Sequence, residues 1–134
     1  MNRKRKNWKA LRQKQKQDKL KVRNYTLYAL KLTDEKYYIG LTSYKNVNVR
    51  YNQHLDGSGA KWTKLYKPTE IIETRKIGHI PEKDALILET KLTVEYIEKY
   101  GIENVRGGEM CYLNLERCKF LFNTHSAVTI KAWK

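Results

Sequence analysis

Five side chains, Tyr28, Tyr38, Arg50, His54 and Glu89, together make up a set able to do phosphoryl chemistry. Phenol and imidazole groups accept or relay a proton. A guanidinium neutralises charge growing on phosphoryl oxygens, and a lone carboxylate can hold one divalent cation against a phosphate. These are the parts needed to hydrolyse a phosphodiester with one bound metal ion, provided that the fold brings them together. Tyrosine as a base requires a phenol pKa lowered from about 10, which neighbouring cations such as Lys36, Arg50 or a metal would achieve.

The elements that must position this set can be read from the pattern around it. Tyr25 to Leu32 (YTLYALKL) and Lys36 to Thr42 (KYYIGLT) read as the strands of a β-hairpin joined by Thr33-Asp34-Glu35. A three-residue loop sets Leu32 opposite Lys36 and Tyr28 opposite Gly40, with Tyr28 and Tyr38 as diagonal neighbours on one face. Such loops favour glycine at the left-handed position, where Glu35 is not ideal. Residues 46–55 read as a helix stopped by Asp56-Gly57-Ser58-Gly59. Its Arg50 and His54, four apart, share one face at about 6 Å. Spacing alone favours a solvated polar face for that pair, whereas its position directly after the tyrosine hairpin favours a site.

Residues 59–68 read as a loop and Thr69 to Ile77 as a third strand. Pro81 opens a helix running to about Tyr100, with Glu82 and Asp84 in its first turn and Gly101 at its end. Ala85, Leu88, Leu92 and Tyr96 form its buried stripe. Glu89 borders that stripe, where a carboxylate is costly without a charged partner. A structural salt bridge accounts for it as well as a metal does. Glu95 and Glu98 fall on the wetter side as solubilising charges.

The 134 residues form one domain with a modest core and a formal charge of +14. Residues 1–23 hold eleven of the 28 Lys and Arg but only one acid, Asp18. Such an arm, including Arg3, Lys4, Arg5 and Lys6, suits a polyanion, with nucleic acid favoured over a solubilising tail. Its few apolar residues make no insertion face, no apolar run is long enough to span a bilayer, and no apolar region follows the basic start as in a signal peptide. No membrane partner is therefore expected. Cys111 and Cys118 fit no familiar zinc pair and read as reduced thiols of an intracellular, cytoplasmic protein. Lys61 and Lys64 suit contact with a phosphate backbone, and Trp62 suits either base stacking or packing. Arg106 with Gly107 and Gly108 fits a phosphate-binding nest of amides or a simple turn. Asn114 is a weaker polar candidate near the site, His79 reads as a surface residue, and His125 has no assigned role.

The chain resembles the GIY-YIG endonucleases. The two signature tripeptides stand here as Thr26-Leu27-Tyr28 and Tyr38-Ile39-Gly40, with Thr26 in place of the first glycine. The family's Arg-x-x-x-His helix matches Arg50 and His54, and its metal-binding glutamate matches Glu89. Gly57 to Pro68 (GSGAKWTKLYKP) resembles a G-x-GAK-W/Y-T stretch of small members. Tyr100-Gly101 and Val105-Arg106-Gly107-Gly108 resemble a YG…VRGG ending of some phage and viral relatives, which is compatible with a phage- or virus-encoded origin. The likeness covers residues 25–108. It implies an α/β fold with a small three-stranded antiparallel sheet flanked by helices, in a nuclease domain over 24–108. A basic arm (1–23) would precede this domain and a C-terminal extension (109–134) would pack on or follow it. It also implies a DNA endonuclease in which Glu89 holds one Mg²⁺ or Mn²⁺. Tyr28 positions or deprotonates the water, His54 accepts the proton or is itself the base, Tyr38 orders the water and Arg50 neutralises charge. Lys36 is a lesser candidate for that electrostatic task, and DNA is expected in preference to RNA. The alternative is a non-catalytic DNA- or RNA-binding protein on the same scaffold. Oligomeric state is not readable.

Overall fold

The computed structural model describes residues 9–14, 17, 20–108 and 110–133, with side chains as far as Thr124. Arg3, Lys4, Arg5 and Lys6 lie outside the described residues. Strands β1 (Val22–Leu32) and β2 (Tyr37–Thr42) form the expected hairpin around a single 3-10 turn at Thr33–Glu35. Its register sets Tyr28 opposite Gly40, and the Leu32 amide donates to the Lys36 carbonyl at 2.8 Å. Asp34 and Glu35 both adopt left-handed backbone, at φ 58° and 59°. That conformation costs roughly 1–2 kcal/mol per non-glycine residue, so cross-strand packing must hold the turn.

Helix α1 (Val47–Leu55) starts at Asn46, whose side chain accepts from the Asn48 amide. The segment expected to be a loop contains a short helix, α2 (Lys61–Leu65). Strand β3 (Pro68–Pro81) outruns the expected third strand at both ends and pairs antiparallel with the whole of β1. Helix α3 (Glu82–Tyr100) follows Pro81 and ends at Gly101, where φ is 93°. A further strand, β4 (Val105–Gly107), precedes α4 (Leu115–Trp133).

The sheet therefore corrects the expected architecture. It has four strands in the order β3-β1-β2-β4, and the last pairing, β2 with β4, is parallel. Val105, Arg106 and Gly107, followed by Gly108, do not read as a strand in sequence, because the glycines suit a nest or a turn and three residues are too short to show alternation. Their pairing partner, β2, lies far away along the chain.

Alternation along the hairpin divides the interior between the two faces of the sheet. Leu27, Ala29, Tyr37 and Ile39 pack with Leu92, Val94 and Ile97 of α3 and with Val105, Met110 and Cys118. Tyr28, Leu30, Leu32 and Tyr38 project the other way, against Trp62 of α2 and Tyr51 of α1. One face thus holds a conventional core. The other holds both candidate tyrosines beneath α1 and α2.

Gly107 allows β4 to approach both layers. A Cβ there would sit 2.5 Å from the Ile39 carbonyl oxygen and 2.8 Å from Thr93 Oγ1. Gly107→Ala is expected to lower unfolding stability by about 1–3 kcal/mol through overpacking. The measurement is the shift in urea midpoint at constant m-value; an unchanged midpoint would contradict the close packing of β4.

Candidate active site

Tyr28 is the centre of the cluster. It is 1 % exposed, and its ring crosses the backbone of β2 where residue 40 is glycine. A Cβ on Gly40 would fall 2.2 Å from the Tyr28 hydroxyl. The Tyr38 ring lies 6.4 Å away on the same face, and the His54 ring lies 4.9 Å from Tyr38. His54 is buried in the last turn of α1. Gly59 leaves room for its ring, since a Cβ there would come within 2.2 Å of Nδ1.

Hydrogen bonding fixes the histidine tautomer. Thr63 Oγ1 donates to the Ala60 carbonyl at 2.9 Å, which uses its only proton. The same oxygen lies 2.9 Å from His54 Nδ1, so Nδ1–H must be the donor there. Nε2 then carries the lone pair, and the Tyr28 hydroxyl donates to it at 2.7 Å. The chain Tyr28–His54–Thr63–Ala60 runs in one direction, which leaves the phenol oxygen as an acceptor, including toward Arg50. Sequence reasoning missed Thr63; its signal was membership of the GSGAKWT stretch, and in the fold the residue is 2 % exposed.

The remaining two residues act on this pair electrostatically. Arg50 and Glu89 are half-buried. Burial pushes the Tyr28 phenol up to about 12, opposed by the charge and hydrogen bonding of Arg50 and helped by the charge of Glu89. Tyr38 is raised by burial, then by Tyr28 and Glu89, with Arg50 opposing. Burial and the Arg50 charge lower His54 to about 4. Arg50 and Glu89 therefore both act on Tyr28 and Tyr38, and Arg50 acts on His54 as well. The expected lowering of the tyrosine pKa does not occur, because loss of water outweighs Arg50. Cys111, from the segment before α4, also acts on Tyr38.

Among the described residues no three His, Cys, Asp or Glu side chains gather as a metal cluster. A single half-buried carboxylate still fits a hard divalent cation. Mg²⁺ keeps several waters and takes one or two carboxylates plus phosphate oxygens.

Other candidates are placed elsewhere. Arg106 is 2 % exposed and is not a nucleic-acid contact. Its Nε donates to the Tyr112 carbonyl at 2.6 Å, Nη1 donates to the carbonyls of Ile102 and Val105, and its guanidinium sits 4.5 Å over the Trp62 ring. Gly107 and Gly108 pack against Ile39, Thr90 and Thr93, so this turn serves close packing. Lys36 is tied to Asn104 Oδ1 at 2.7 Å and lies 5.4 Å over the Tyr66 ring, and it is not among the charges that shift Tyr28, Tyr38 or His54. Trp62 is buried and donates to the Tyr37 carbonyl, which assigns it to packing. Asn114 is exposed and its side chain accepts from the Arg117 amide at the start of α4. Lys61 and Lys64 are exposed on α2.

Comparison with known proteins gives a consistent picture. A family model described as the GIY-YIG catalytic domain matches residues 24–103. The UPF0213 protein YazA of Bacillus subtilis (strain 168) is 30% identical over 97 residues, covering 70% of this chain and 94% of that protein. No solved structure matches the chain.

The tautomer and the low proton affinity of His54 are directly measurable. Nitrogen-15 spectra are expected to show Nδ1 protonated, Nε2 unprotonated and a titration midpoint near 4 in the free protein. Because an unfolded histidine titrates near 6.5, the unfolded chain takes up a proton between those values that the folded chain refuses. Stability is therefore full above about pH 6.5 and falls as the pH drops toward 4. A midpoint near 6.5, or a protonated Nε2, would contradict the arrangement.

Proposed function

Because the chain belongs to the GIY-YIG family, we propose that it is a divalent-metal-dependent endonuclease hydrolysing DNA phosphodiester bonds. Nucleases of this family act on DNA and generally use divalent metals. The observation that carries the reading is the wiring of Tyr28, whose proton is already aimed at the unprotonated Nε2 of His54.

In this reading Arg50 binds the scissile phosphate and stabilises the charge that grows on its oxygens. The phenol oxygen of Tyr28 takes a proton from the attacking water as its own proton moves to His54 Nε2. The water oxygen forms the new bond to phosphorus while the bond to the leaving oxygen breaks. Thr63 keeps the imidazole in the accepting tautomer, and Tyr38 helps to orient the water. His54 is a weak base in the free protein partly because of Arg50. A phosphate bound against Arg50 offsets that charge and raises the proton affinity of His54 when it is needed. Glu89 would hold the divalent cation, Mg²⁺ or Mn²⁺, which when bound supplies positive charge at the leaving oxygen. Lys61 and Lys64 add grip on the phosphate backbone, as does the basic segment before β1.

Supercoiled plasmid incubated with Mg²⁺ or Mn²⁺ is expected to be nicked or cut, and EDTA to stop the reaction. Glu89→Ala should abolish cleavage. Arg50→Ala should lower turnover by about 10²–10³ while DNA affinity changes far less. Cleavage by Glu89→Ala at the rate of the unaltered protein would defeat the proposal. DNA binding with no cleavage under any metal would instead favour a non-catalytic binding protein on this scaffold. Deleting residues 1–19 should weaken binding and flatten its salt dependence, since fewer counterions are released. An unchanged salt slope would remove the basic segment from the interface.

A further inference from the structure

Two adjoining depressions lie at the end of the sheet next to Arg50. One, of about 710 Å³, is lined by Arg23, Tyr44, Lys45, Lys76 and His79 among others. The second, of about 330 Å³, includes Arg50, Gln53 and Glu82. They share Arg23, Tyr25, Ser43 and Tyr44, so they form one continuous groove. It starts on β3, passes β1 and the loop after β2, and ends at Arg50 on α1.

We propose that this groove is a binding track for the DNA strand flanking the scissile phosphate, with Arg23, Lys45 and Lys76 gripping the phosphates and Tyr44 stacking on a base. The inference rests on the nuclease reading for the identity of the strand. Charge complementarity supports it. Arg23, Lys45, Lys76 and Arg50 face the groove, against the single carboxylate of Glu82. Arg23, Lys45 and Lys76 are exposed, and Tyr44 is 48 % exposed.

The local backbone is built to present these groups. Between Tyr25 and Thr26 the β1–β3 register slips, so that Tyr25 pairs with Gly78 and Thr26 with Lys76. The extra residue, Ile77, packs on the core, while Lys76 stays exposed at the groove. Bulges of this kind re-aim side chains on edge strands. The span from β3 to β2 is roughly 10 Å at a strand spacing of about 4.8 Å. That is enough for a short stretch of one strand, in keeping with three cations to hold its phosphates.

A second link ties the groove to the reaction centre. Gln53 Nε2 donates to the Tyr44 hydroxyl at 3.4 Å, and Arg50 Nη1 donates to Gln53 Oε1 at 2.8 Å. A base stacked on Tyr44 therefore bears on the side chain that holds Arg50.

The test is binding of a fluorescein-labelled DNA duplex carrying a single-stranded flank, whose unpaired bases are free to stack, in EDTA, by anisotropy across a salt series, with plasmid cleavage measured in parallel. Lys45→Glu combined with Lys76→Glu should weaken binding at least about tenfold and lower the salt slope by about two, near one unit for each phosphate that is no longer neutralised. Tyr44→Ala should weaken binding several-fold, and Tyr44→Phe should restore most of it. The control, Lys31→Glu with Lys99→Glu, lies in a separate depression beside Tyr37 and Tyr100 and should change binding less than twofold. Groove reversals no more damaging than the control would overturn the track, as would a parent protein that does not bind DNA. A groove effect without any cleavage would retain the track and overturn the nuclease reading. Cleavage with neutral groove reversals would do the reverse.

Discussion

Tyr28 can lie across β2 only because the residue opposite it in the register is Gly40. Any side chain there would occupy the space of the phenol, since even a Cβ would fall within 2.2 Å of its hydroxyl. This one steric allowance sets the depth of the phenol and hence its distance to His54. Gly59 makes a matching allowance on the other side, where the imidazole would otherwise meet a Cβ. One glycine from a strand and one from a loop thus frame a single hydrogen bond of 2.7 Å. The site is defined as much by two absent side chains as by the five present ones.

Burial gives the pair its electrostatic character. Removing water raises both phenols and lowers the imidazole, so at neutral pH every member of the relay is uncharged. Charge enters from the half-buried Arg50 and Glu89. The arrangement separates uncharged groups, which are buried, from the charged groups, which are half-buried, and in the proposed reaction the first would move protons and the second would meet phosphate and cation. A tyrosinate formed in advance is not needed, since the Tyr28 proton already has an acceptor.

The β4 edge of the sheet is organised around a buried cation held by carbonyls. Arg106 satisfies its guanidinium with the carbonyls of Ile102, Val105 and Tyr112 and with the face of Trp62. Those carbonyls belong to the loop after α3, to β4 and to the segment before α4. One side chain therefore joins the edge strand to the C-terminal extension, where Met110 and Cys118 enter the core. Removing its donors would leave several carbonyls without partners in a dry place. Burial accordingly lowers the Arg106 pKa, and the contacts it makes are structural.

Local pattern was enough to determine the hairpin register, the stop of α1 and the extent of α3. Turn length fixes cross-strand partners, and glycine or proline marks a helix end wherever the residue stands in space. Hence Tyr28 opposite Gly40, and Arg50 and His54 on one short helix, could be read directly from the chain. Strand β4 could not, because three residues show no alternation and their partner strand is distant in sequence. The direction of the pKa shifts was also hidden, since proximity to cations is visible in a sequence but the loss of water around a phenol is not. Thr63 acquired its role only when α2 folded over α1. Arg106 looked like a phosphate ligand until packing enclosed it, because an arginine beside glycines has the same local sequence in a nest and in a core.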